Sequence, residues 1–281
     1  MKASLKLELK KAQNGGYAIP AFNFDNLEMA KGIILAAEEK NAPVILMVTE
    51  SAAKYIGLEI VYDFAPKIAQ RAKVPVILHW DHGFDIELVK RACDNNFSSV
   101  MLDASKESYE NNVKFTKEIV AYAHARGIDV ESEIGHVGGK EDDNSSRGSD
   151  YTSVSEAVSF VKDTNIDALA IAVGTAHGIY TKKIDLQFDL ITKINQEVNT
   201  PLVLHGSSGV SLSDLQKAIK CGIAKINIGT DLKQANANAL KQWFEENPNG
   251  FDARKFGEKA IQSVKTIAMQ KIDAFYAANK A

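Results

Sequence analysis

Ala18-Ile19-Pro20-Ala21-Phe22-Asn23-Phe24-Asp25-Asn26-Leu27 decides the architecture. Its first seven residues are near-continuously apolar, as befits a strand buried on both faces of a parallel sheet. An open doubly wound sheet would follow such a first strand with a glycine-rich turn. Here Asp25-Asn26-Leu27 follows instead. Further runs of the same character recur at Pro43–Val48, Pro75–Trp80, Ser99–Asp103, Asp129–Ile134, Ala168–Val173, Pro201–Leu204 and Ala224–Ile228. Amphipathic stretches separate them. Asp85 opens one at Ile86–Asn95, Ser211 with Asp214 resembles a capping box before Leu215–Lys220, and Gly222 supplies a stop. Eight strands alternating with helices over about 250 residues make this an α/β chain folded as a (β/α)8 (TIM) barrel.

Two segments exceed a minimal barrel. Gly138 to Asp150 is polar and nearly without apolar anchors, the composition of a mobile lid. Beyond the last strand, two extra C-terminal helices are expected at Asp231–Glu246 and Arg254–Asn279. The second carries Phe256, Ile261, Val264, Ile267, Ile272 and Phe275 at roughly helical spacing, a stripe expected to pack on the barrel or against another subunit. Met1 to Gln13 reads as a short amphipathic helix, not a signal peptide. No linker divides the chain, so residues 1–281 are expected to form one domain. With 281 residues, 45% of them hydrophobic, a sizeable core is within reach. The net charge of −3 (33 Lys and Arg against 36 Asp and Glu) gives no reason to expect nucleic acid or a membrane surface as partner. No run is long enough to span a bilayer. Cys93 and Cys221 lie in separate helical segments and are expected to stay reduced, which suits the cytoplasm.

In such barrels the chemistry collects at the C-terminal strand ends. Those ends read His79-Trp80-Asp81-His82, Asp103, Glu131-Ser132-Glu133, Gly174-Thr175-Ala176-His177-Gly178, His205-Gly206-Ser207-Ser208-Gly209 and Asn227-Ile228-Gly229-Thr230. His82, His177 and His205 fall on three different strand ends that face one mouth, and three imidazoles bind zinc while leaving a fourth position open. His79 alternates with Asp81 and is expected to fill the barrel interior. His124 reads as a solvated helical residue, and His136, in the glycine loop, is at most a substrate contact. The glycines and hydroxyls after strands seven and eight occupy the usual phosphate cradle of these barrels.

These segments resemble the class II fructose- and tagatose-bisphosphate aldolases over nearly the whole chain. The resemblance runs in order through Tyr17–Asn23, Leu78–His82, Met101–Asp103, Val130–Gly135, Gly138–Asp142, Gly174–Gly178, Leu204–Gly206 and Lys225–Asn227. It implies reversible retro-aldol cleavage of a ketose 1,6-bisphosphate to dihydroxyacetone phosphate and glyceraldehyde 3-phosphate through a zinc-stabilised enediolate. His82, His177 and His205 match the zinc ligands, and Asp103 and Glu133 match carboxylates at an alternative metal position. Asp81 matches the acid/base at the C4 hydroxyl, and Glu141 the group that moves a proton at C3. Gly178, Gly206 to Ser208 and Asn227, Ile228, Gly229 and Thr230 match the dihydroxyacetone phosphate site, to which Asn23 is added. Thr49 and Arg254 match contacts to the distal half of the sugar, Arg254 from a neighbouring subunit. The resemblance also implies a homodimer or homotetramer and leaves room for a monovalent cation, Na+ or K+. Gly229, where fructose-specific relatives often carry an acid or amide, leans towards the tagatose branch, as do Gly174–Tyr180 and Trp243–Pro248. Another phosphorylated ketose and a non-catalytic phosphosugar-binding barrel are the alternatives. A Schiff-base mechanism would need a lysine at a strand end, and Lys225 lies too near its strand's start.

Overall fold

Each apolar run becomes a parallel strand: β1 (Ile19–Asn23), β2 (Val44–Thr49), β3 (Val76–Gly83), β4 (Ser99–Leu102), β5 (Asp129–Ile134), β6 (Ala168–Ile171), β7 (Leu202–Leu204) and β8 (Ile223–Ile228). The computed structural model describes residues 1–141, 144–146, 151–178 and 184–281, with residues 140, 141 and 144–146 described in backbone only. The strands pair in chain order, and β1 closes the barrel on β8 through Ile19↔Lys225 and Ala21↔Asn227. Burial on both faces explains the unbroken apolar runs. Every residue of β3, His79, Asp81 and His82 included, is buried. Polar side chains inside a barrel are therefore costly unless paired, which directs attention to their partners.

The helix signals act as expected. Asp85 accepts hydrogen bonds from the amides of Glu87 and Leu88 at 2.9 and 3.4 Å. Ser211 accepts from the Asp214 amide at 3.1 Å, and its own hydroxyl donates to the Asp214 carboxylate at 2.7 Å. Such caps are worth about 1 kcal/mol each. Gly222 ends that helix at φ 120°, a conformation that favours glycine. The two C-terminal helices span Thr230–Glu246 and Ala253–Ala274. In the latter, Ile261, Val264 and Ile272 are buried, as is Phe275 at its C-cap. The helix lies so close to helix Leu27–Glu39 that a Cβ on Gly32 would stand 2.8 Å from the Ile261 carbonyl. Most of the stripe thus packs within the chain. Both cysteines are free, and among the described residues no helix is long and apolar enough to cross a membrane.

Two segments differ from a plain sequence reading. The stretch expected as a polar, mobile lid contains two short antiparallel strands, Gly138–Glu141 and Asn144–Ser146. The first also pairs with Ala176–His177, through Gly138↔Ala176 and Gly139↔His177. Residues 142–143 and 147–150 lie outside the described residues. His124 is not merely solvated: its Nε2 lies 2.8 Å from the buried Asp167 carboxylate, which also receives Lys6 at 2.9 Å.

Candidate active site

Strand β3 brings two side chains to the mouth by breaking its own regularity. Its register against β4 slips between Trp80 and Gly83, and His82 takes φ 44°. A non-glycine residue in that region costs about 1–3 kcal/mol, and a bulged strand end re-aims its side chains. His177 follows on the short strand Ala176–His177, and His205 comes directly after β7. The rings meet: centroids lie 4.6 Å apart for His82 and His205, 5.1 Å for His82 and His177, and 5.9 Å for His177 and His205. One ligand-capable atom from each lies within 4.8 Å of the others. That donor set fits a zinc ion.

Carboxylates stand behind two of the rings. Asp103 Oδ2 is 2.8 Å from His82 Nδ1, while its other oxygen accepts from the Ser105 amide and hydroxyl. Burial works to raise the Asp103 carboxyl, but the His82 and Ser105 bonds hold it well below the usual carboxylate range. Glu133 Oε2 is 3.0 Å from His205 Nδ1, and Glu131 Oε1 is 2.9 Å from His205 Nε2. Burial opposes charge on the His205 ring, yet these two carboxylates push it up to about 9. His177 has its pKa driven well down, by burial first and then by the neighbouring histidines, and is neutral. Asp103 and Glu133, expected at an alternative metal position, each hydrogen-bond to one ring of the trio, His82 and His205 respectively, the geometry that orients a ring and raises its basicity.

Asp81 is fully buried. Burial would raise its carboxyl, but the His82 ring, Lys225, His79 and His205 together lower it, so it is ionised. Asn23 donates to Oδ2 at 2.8 Å and Asn227 to Oδ1 at 3.3 Å. Both amides, expected as substrate contacts, therefore also hold Asp81. They line the cleft together with Thr49, His177, Gly178, Gly206, Ser207, Ser208, Gly229, Thr230 and Lys233. Helix Thr230–Glu246 opens onto this cleft; Gly229 has no side chain to cap it, and the Asp231 amide donates to the Ser208 hydroxyl at 3.3 Å, so amides and hydroxyls meet there as an anion site would need. Gly206 sits at φ 59°, where a Cβ would come within 2.5 Å of the Ala176 carbonyl.

Some expected residues stand elsewhere. The Ile228 side chain is buried in the barrel wall and does not line the cleft. Arg254 is exposed, pairs with Asp252 at 3.0 Å, and lines a separate depression beside Trp243 and Phe251. Within one chain it does not join the site. Glu141 ends its strand, but its side chain lies outside what is described, as do Ile179 and Tyr180. His136 turns Nδ1 to Ser105 at 3.4 Å rather than into the cleft. The sequence reading missed Lys233, 3.3 Å from Asp25, although its place one turn after Thr230 could have revealed it. Glu131 stood among the strand ends but was given no role, although it meets His205 Nε2.

The family profile described as "Fructose-bisphosphate aldolase class-II" matches residues 3–280. The chain belongs to the class II fructose-bisphosphate aldolase family. It is 40% identical to the fructose-bisphosphate aldolase of Geobacillus stearothermophilus over 281 residues, covering 99% of this chain and 98% of that one. Among solved structures, the YdjI aldolase of Escherichia coli K12 superposes with a TM-score of 0.87 at 36% identity, over 100% of both chains. A putative fructose-1,6-bisphosphate aldolase from Coccidioides immitis gives 0.90 at 31% identity, covering 98% of this chain and 97% of the other. Aldolases are carbon–carbon lyases, and their shared barrel agrees with the fold seen here.

Proposed function

We propose that this aldolase holds one zinc ion on His82, His177 and His205 and cleaves a ketose 1,6-bisphosphate to dihydroxyacetone phosphate and glyceraldehyde 3-phosphate. The convergence of three ligand atoms within 4.8 Å carries this reading. When bound, zinc supplies a Lewis acid toward the substrate's C2 carbonyl. Asp81, ionised and steadied on both oxygens by Asn23 and Asn227, takes the proton of the C4 hydroxyl. C4 becomes the aldehyde as the C3–C4 bond breaks, and that electron pair passes into the three-carbon fragment as its enediolate. Glu141 returns a proton to C3. The glycines, Ser207, Ser208 and the amides opening helix Thr230–Glu246 receive the phosphate of that fragment. Thr49 faces the distal half, which Arg254 reaches from a neighbouring subunit of a homodimer or homotetramer in the cytoplasm.

Tagatose bisphosphate is the substrate we favour, on the strength of Gly229. A Cβ there would stand 3.0 Å from Asn23 Oδ1, so an acid or amide would press on the residue that steadies Asp81. The fructose designation of the Geobacillus relative supports fructose bisphosphate as the second reading. Cleavage rates of both sugars, measured side by side before and after chelation and zinc replacement, test the proposal. Expected are cleavage lost with the metal, restored with it, and faster for tagatose. Undiminished cleavage by fully stripped protein would sink the metal reading.

A further inference from the structure

His205 poses a problem that His82 does not. A carboxylate behind one ring nitrogen fixes the other as the metal donor, and Asp103 does this for His82. His205 has a carboxylate on each nitrogen, Glu133 on Nδ1 and Glu131 on Nε2. To bind an ion it must release one of them.

The layering of the barrel interior indicates which. Side chains two apart on a strand share a face and stand about 6–7 Å apart along it. His79, Glu131 and Lys225 lie on β3, β5 and β8, and all three are fully buried. Two residues further toward the mouth on the same strands stand Asp81, Glu133 and Asn227, of which Asn227 lines the cleft. His205 bridges the two layers. Its Nε2 meets the deep layer at Glu131, and its Nδ1 meets the layer nearer the mouth at Glu133.

The deep contact is the one held in place. Lys225 Nζ lies 2.6 Å from Glu131 Oε2, so one oxygen is committed to a buried ion pair and the other to His205. Breaking the second bond would strand a carboxylate oxygen where no water reaches, a heavy penalty. Glu133 is buried as well, but its other oxygen accepts only from the Val137 amide at 3.2 Å and holds no cation among the described residues, so it can release His205 without disturbing a buried ion pair.

We propose that Glu131, anchored by Lys225, is a positioning residue that keeps His205 by its Nε2–H and so commits Nδ1 to the metal, with Glu133 giving way. The proposal rests on the three-histidine reading of the zinc site. A crystal structure of the zinc-loaded protein tests it directly. Expected is zinc on Nδ1 with Nε2 still within hydrogen-bonding distance of Glu131. Zinc on Nε2 with Glu131 displaced overturns it. Zinc bound away from the three histidines would instead bring down the metal reading, a separate result.

Paired variants supply the second arm. Glu131→Leu with Lys225→Met removes the buried charges together at similar volume, the kind of exchange interiors tolerate. By chelator competition this variant should bind zinc ~10–100-fold more weakly than wild type. Glu131→Gln with Lys225→Met keeps an acceptor for Nε2–H and should recover most of that loss. Folded leucine protein with wild-type affinity, or no recovery by glutamine, overturns the positioning role. Should neither variant fold, the zinc-loaded wild-type structure still decides.

Discussion

In the proposed mechanism Asp81 is the base, an ionised group beside the histidines with both oxygens held by amides. Asp81→Ala should keep its zinc, since no ligand is removed, and lose on the order of 10²–10⁴ in turnover, the usual span for a general base. Metal analysis beside steady-state kinetics checks both halves, and near-normal cleavage would remove Asp81 from the mechanism. His79 makes a different prediction. Burial, reinforced by Lys225, lowers its pKa to about 3, against an ordinary value of 6.5. Below pH 6.5 the unfolded chain takes up a proton that the folded chain refuses. Its effect on stability is therefore absent above pH 6.5 and grows as pH falls toward 3, by up to about 1.4 kcal/mol per pH unit. Urea unfolding between pH 7 and pH 4 should show a shallower loss in His79→Gln than in wild type; parallel curves would refute a buried neutral imidazole. The histidine trio was legible in the sequence because each member ends a separate strand. That Asn23 and Asn227 serve Asp81, 58 and 146 residues away, was not, because such pairing exists only once the barrel closes.

At the scale of elements, the barrel was readable because each buried strand needs an unbroken apolar run and each helix needs a start signal. The ribbon at Gly138–Ser146 was not, since its strands carry no hydrophobic alternation to betray them. Its order comes from backbone pairing: Gly139 lies opposite His177, the proposed zinc ligand on the facing strand. Gly139 sits at φ 106°, and a Cβ there would stand 2.3 Å from the His177 carbonyl and 2.6 Å from its amide. Gly139→Ala should therefore push the ribbon off Ala176–His177 and move the ligand with it. Expected are weaker zinc binding, by about tenfold or more given the sensitivity of metal sites to ligand placement, and a larger loss of cleavage. Titration with a chelating indicator measures the first. Wild-type affinity in the alanine variant would show that the ribbon does not help to place His177.

For the whole molecule, the proposed metal site and the fold form one thermodynamic system. The three histidines stand 28 to 123 residues apart in the sequence, so the unfolded chain holds no preformed site, and an ion that binds only the folded chain stabilises it by mass action. At free zinc a thousandfold above the dissociation constant, that gain is about 4 kcal/mol. For a domain of this size each kcal/mol moves the melting temperature by about 2–4 °C. Chelation should therefore lower the melting midpoint by roughly 10 °C, and restoring zinc should reverse the shift. The same treatment of His205→Ala should move the midpoint far less, because that chain has lost one of three ligands. A wild-type midpoint indifferent to zinc, in protein whose zinc content demonstrably changes, would mean that the ion rests on the surface and not on three rings gathered by the closing of the barrel.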